Sequence, residues 1–131
     1  MPAEIVLMLR AIDYGISFFS GRKARNKEER ELQRKFVEAF REALNQTRGY
    51  IADRRDNISE VNRAREMQLS ASWNKAGLCG RDLEPQGDFY EVYFKKSDFW
   101  ADPKGWDLSE NRELDISLEK AEDEADKYLS K

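Results

Sequence analysis

The side chains of this chain that could do chemistry are its arginines, its carboxylates and one thiol. Histidine is absent, and Cys79 is the single cysteine among 131 residues. Nucleophilic sites of the Ser-His-Asp or Cys-His kind need an imidazole to take the nucleophile's proton, so they are excluded. The Cys and His sets that hold zinc are excluded with them. Cys79 lies between Leu78 and Gly80, with Arg81 two positions on. Activation would require that cation to stabilise the thiolate, and the simpler expectation is a half-buried, unreactive thiol. One cysteine also rules out an internal disulfide, which makes a reducing cytoplasm the expected compartment.

Paired carboxylates can work as acid and base, or hold Mg²⁺ or Ca²⁺ through oxygen. Glu119, Glu122, Asp123, Glu124 and Asp126 are dense enough to raise that question. They lack the glycine-centred loop of an EF-hand, and on a helix they would spread around the solvent side. Neither a glycine-rich loop ending in Lys-Ser/Thr nor a Gly-x-Gly-x-x-Gly turn is present, so the usual nucleotide enzymes are not expected. The sequence therefore predicts no catalytic residues, no metal and no cofactor.

Arginine is the more informative residue. The segment Arg48-Gly49-Tyr50-Ile51-Ala52-Asp53-Arg54-Arg55-Asp56 interleaves guanidinium and carboxylate groups. Planar guanidinium forks bind carboxylates in bidentate fashion, so with Arg63, Arg65 and Glu66 these groups are expected to lock two helices together. The sharper alternative is an edge formed by Arg48, Tyr50, Arg54 and Arg55 that meets an acidic ligand or partner. Arg22, Lys23, Arg25 and Lys27, taken with Arg54, Arg55, Arg63 and Arg65, could instead face phosphates. Asp53, Asp56 and Glu60 dilute that second group, and the whole chain is acidic, with net charge −3 and pI near 5.2. Charge is nonetheless segregated. Residues 22–65 carry 13 Lys/Arg against 8 Asp/Glu, whereas residues 82–126 carry 5 against 15.

Large rings form a third group: Phe89, Tyr90, Tyr93, Phe94, Phe99, Trp100 and Trp106. They exceed what one amphipathic face needs. Most should be core, and any surplus at Phe99, Trp100 and Trp106 would suit a protein partner, because Trp, Tyr and Arg dominate interface energetics.

The elements that must position these groups read as helices. Three prolines and seven glycines punctuate 131 residues, which favours long helices in a single domain spanning 1–131. Pro2 to Phe19 carries Ile5, Met8, Leu9, Ile12, Ile16 and Phe19 mostly at steps of three and four, with Ser20-Gly21 as its end. No stretch there approaches the roughly 20 apolar residues that span a bilayer. The cations Arg22, Lys23 and Arg25 follow the apolar run, where a signal peptide would place them ahead of it. A core helix is expected, an interfacial membrane helix being the alternative. The second helix should run from about Asn26 to Arg54 on Leu32, Phe36, Val37, Phe40, Ala43, Leu44, Thr47, Tyr50 and Ile51. A third should span Ser59 to Lys75 with Val61, Ala64, Leu69, Trp73 and Ala76 inward. Gly77, Gly80 and Pro85-Gln86-Gly87 would form a loop region. Residues 88–100 alternate like a strand yet also fit a helical face. A lone strand has no partner in this chain, so helix is favoured over a short strand or hairpin near 88–95. Asp102-Pro103-Lys104-Gly105 has the residues of a type I turn. A last helix should cover Asp115 to Leu129.

The fold class that follows is all-α, an up-and-down bundle of four to five helices. The expected function is a non-enzymatic interaction or regulatory module, an adaptor or accessory subunit that binds another protein or itself. The alternative is a nucleic-acid-associated protein that uses the two basic clusters.

Overall fold

A long apolar stripe and a good cap make the first continuous helix. The computed structural model describes Arg10, Ile12, Asp13, Gly15 and Ile16, then residues 24–56, 61–88, 90–101 and 112–130; for residues 55, 56, 99 and 112–116 it describes the backbone alone. Most of the expected first helix, Arg22, Lys23, the turn at 102–105 and Trp106 lie outside the described residues, as do the side chains of Arg55 and Phe99. Helix α1 spans Lys27–Asp56. Asn26 caps it, its Oδ1 accepting from the Glu29 amide at 2.8 Å, and Glu28 and Glu29 sit in the first turn where the helix dipole favours them. The residues expected inward are buried there, from Phe36 and Val37 to Tyr50 and Ile51.

Helix α2 spans Arg63–Leu83, and Asn62 caps it through a 3.0 Å bond from the Arg65 amide. Two expectations are corrected here. The helix does not stop near Lys75 but continues through Gly77 and Gly80, both buried. Gly77 is a close-approach point, not a breaker: a Cβ there would stand 2.7 Å from Phe94 Cε1. In addition, Val61 and Ala64, expected inward, are exposed. The true end comes at Leu83, where the Glu84 amide bonds back to the Gly80 carbonyl at 3.0 Å.

Helix α3 spans Glu91–Ala101. The strand or hairpin alternative near 88–95 is thereby overturned. Val92, Tyr93, Lys96 and Trp100 are all buried at helical spacing, so a helix hides one face where a strand would have to pair both edges. Helix α4 spans Arg112–Leu129, starting three residues before the expected Asp115.

The principal packed pairs are α1 with α2, α2 with α3, and α1 with α4. Each pair runs antiparallel, as the cross-helix bonds show. Ser72 reaches Gln46 and Arg65 reaches Asp53 between α1 and α2. Ser70 reaches Ser97 and Arg63 reaches Ala101 between α2 and α3. Arg41 reaches Asp126 and Arg48 reaches Glu122 between α1 and α4. The architecture is an all-α bundle of up-and-down neighbours.

Its centre is aromatic. Phe36 and Phe40 stack at 5.7 Å, Trp73 lies parallel to Tyr93 at 6.0 Å, and Phe40 meets both at an edge. The Trp73 indole donates to Thr47 Oγ1 at 2.9 Å, and Thr47 donates on to the Ala43 carbonyl at 2.7 Å. A buried indole N–H needs such a partner, so Thr47 fixes the depth at which Trp73 enters. Ahead of α1, helical Gly15 is buried against the Phe40 ring, where a Cβ would clash.

Candidate interaction surface

The arginine-rich segment supplies side chains to two different faces. Residues two apart on a helix point to opposite sides. Arg48 therefore turns to α4, with Nη1 2.8 Å from Glu122 Oε2, while Tyr50 turns to α2. The Tyr50 hydroxyl donates to Glu66 Oε2 at 2.8 Å and accepts from the Asn62 amide at 3.1 Å. Glu66 is 1% exposed, and its other oxygen takes a 2.6 Å bond from Arg63 Nη1. Arg63 Nη2 bonds the Ala101 carbonyl at 2.6 Å, tying the start of α2 to the end of α3. Arg65 pairs with Asp53 and lies 5.0 Å above the Tyr50 ring. Burial raises the Tyr50 hydroxyl above its ordinary value; the Asn62 amide and Arg54 oppose that shift, and Glu66 adds to it.

This cluster is the ion network expected to lock the second and third helices. It also corrects the outward edge. Tyr50 is 1% exposed, Arg54 4% and Trp100 0%, so none of the three can anchor a partner on the folded surface. The reason is packing. The Tyr50 and Trp100 rings meet edge to face at 6.0 Å, closing the end of the bundle. Of the surplus rings, Tyr93 is also interior, while Tyr90 and Phe94 are half-buried; Phe94 fills the space that Gly77 leaves open. Of the basic groups, Arg25 is exposed but pairs with Glu29, and Lys27 is exposed. Arg63 and Arg65 are held by Glu66 and Asp53, so a phosphate would have to displace a carboxylate from each.

A groove of about 340 Å³ runs between α1 and α2, floored by Ala39, Ser72 and Cys79 and walled by Lys35, Lys75 and Glu42. Burial pushes the Cys79 thiol up, Lys75 and Lys35 pulling the other way. A raised thiol is a poor nucleophile at neutral pH. Among the described residues no group of three or more His, Cys, Asp or Glu side chains is placed to hold a metal ion. No described helix is long and apolar enough to cross a membrane.

What sequence reading missed is the outer face of α2. Met67 is 50% exposed and Leu78 37%, and both share one side with exposed Ala64 and Ala71. The positions 64, 67, 71 and 78 fall on steps of three, four and seven, one continuous stripe on a helix. Val61, 55% exposed, stands at its head. The opposite side of α2 buries Leu69, Trp73, Ala76 and Leu83. A helix apolar on two sides gives a blurred single-stripe pattern, and that blur was the available signal.

Family models, curated proteins and solved structures were compared with this chain, and none matches it. Geometry alone carries the functional reading.

Proposed function

We propose that this chain is a non-enzymatic protein-interaction module, an adaptor or accessory subunit that engages its partner through the solvent side of α2. The observation that carries this reading is the alignment of exposed Met67 and Leu78 with Ala64 and Ala71 on one helical face. Burying a Met or Leu side chain stabilises an interface by about 1.5–3 kcal/mol each, and leaving both in water forgoes that gain. Ala71 between them, and Ala64 ahead of Met67, let a partner's backbone approach closely. The flanking Gln68, Asn74 and Arg81 give the stripe a polar rim, as binding patches have. A cytoplasmic setting suits the lone thiol.

The test is purification of the tagged chain from its native cells beside a Met67→Glu, Leu78→Glu double variant of unchanged circular dichroism. The expected result is a stoichiometric partner, another protein or a second copy, that the wild type retains and the variant loses. Equal recovery by both chains, or a wild type that stays alone and monomeric at high concentration, overturns the reading.

A further inference from the structure

A second surface lies beneath α4, and it is independent of the α2 stripe. Arg34, Val37, Arg41, Leu44, Arg48 and Ile51 recur on α1 at alternating steps of three and four, so they form one face with buried aliphatic residues along one side and arginines along the other. Helix α4 is the acidic counterpart. Arg41 Nε stands 2.5 Å from Asp126 Oδ1, and Arg48 Nη1 stands 2.8 Å from Glu122 Oε2. Burial raises the hydroxyl of Tyr128, further along α4, and Arg34 and Arg30 of α1 oppose that shift.

Three features make this docking shallow. Among its described residues α4 buries Leu118, Ala121 and Ala125 fully, one large residue and two small ones, while its other large apolar side chains, Tyr128 and Leu129, are only partly buried against the core. Its two ion pairs are half-exposed, with Arg41 at 38%, Asp126 at 54% and Arg48 at 44%, where water and salt screen them. Glu122 is 8% exposed, yet its Oε1 is buried without a hydrogen bond, a standing cost of the docked state. By contrast, the ring cluster of Phe36, Phe40, Trp73 and Tyr93 is made by α1, α2 and α3 with no ring from α4. Opening α4 leaves that cluster intact.

We infer that α4 is a displaceable latch over the arginine-edged face of α1, and that the partner this face takes in its place is an acidic amphipathic helix. Charge complementarity identifies the occupant: α4 itself is such a helix, and the Arg41 and Arg48 forks show how its carboxylates are read. A binder whose site is covered by its own segment engages only ligands that outcompete it, which sets a threshold on affinity.

The probe is a fluorescein-labelled peptide of this chain's own residues 112–129, added to the full chain and read by anisotropy. A Glu122→Ala, Asp126→Ala chain keeps the arginines and weakens the latch; it should bind the peptide at least about threefold more tightly than the wild type. A Cys79→Ser chain with Arg48→Cys and Glu122→Cys should bind the peptide through Arg41 while its two thiols are free and lose that binding once they are joined by a short bis-maleimide. Raising NaCl from 50 to 500 mM should weaken binding, and a peptide with Glu122→Gln and Asp126→Asn should bind less well than its parent. Hydrogen exchange on the unmodified chain gives a readout free of folding defects, in which α4 amides should exchange at least tenfold faster than those at the centre of α1. Absence of peptide binding to the latch-weakened chain, equal binding to the cross-linked chain, indifference to the peptide's charge, or α4 protection equal to that of α1 would each overturn the inference.

Discussion

Tyr93 shows how much a single side chain states about this molecule. It is wholly buried, parallel to Trp73 and close to Phe36 and Phe40, and burial pushes its phenol well above the ordinary value. A tyrosine in the unfolded chain ionises near pH 10, whereas the folded one resists. The contribution is therefore fully present below about pH 10 and is lost as pH climbs beyond that value, because the unfolded state releases a proton that the folded state keeps. Tyr50 and Tyr128 are raised in the same direction, so they add to the slope. Urea titrations between pH 8 and 11.5 should show stability falling above pH 10, less steeply in Tyr93→Phe. Identical slopes in the two proteins would refute the buried phenol. At this scale sequence reading was least accurate. Arg54 and Trp100 were expected to face outward, and Tyr50 was read both into the inward stripe and into an outward edge, because a residue's type does not say which way its helix is turned.

The helix pair α2 and α3 depends on one missing methyl group. A Cβ on Gly77 would meet Phe94 Cε1 at 2.7 Å and Cδ1 at 2.8 Å, so Gly77→Ala must move a ring. Overpacking of this kind costs about 1–3 kcal/mol, against which alanine's better helix propensity returns about 1 kcal/mol. The net expectation is a loss that shows as a lower urea midpoint. In a Phe94→Ala background the same substitution should become neutral or stabilising, since the two sites share the contact. A penalty that persists without the ring would show that Gly77 matters for another reason. Most elements were legible in the sequence: α1 and its cap lay within two residues of expectation, because its stripe is long and single. Helix α2 was cut short at Lys75, because glycine reads as punctuation when its neighbour across the interface is unknown. The outer stripe of Met67 and Leu78 went unread for a related reason: periodicity reports that apolar residues share a side, not whether another element covers it.

At the scale of the molecule, charge marks where α4 meets α1. The basic first half and the acidic second half meet where Arg41 and Arg48 of α1 hold Asp126 and Glu122 of α4. Exposed pairs contribute little, so raising NaCl from 0.05 to 0.5 M should lower global stability by no more than about 1 kcal/mol. Urea curves followed by tryptophan fluorescence test this, and a larger loss would mean that ion pairs rather than the aromatic centre hold the bundle. Segregation of charge was visible in composition, but its meaning depended on which helices become neighbours, a question of topology that no local pattern answers.

Helix α2 is committed on two sides, Ser72 and Trp73 to α1 and Ser70 and Gly77 to α3, and the proposed surface at Met67 and Leu78 would add a third. Such a helix has almost no room for neutral drift. Among homologous chains, substitutions should be scarcest along α2 and should accumulate on the outer side of α4, where Glu119 and Asp123 are exposed. The rate at which each helix has changed would then record which surfaces selection has been using.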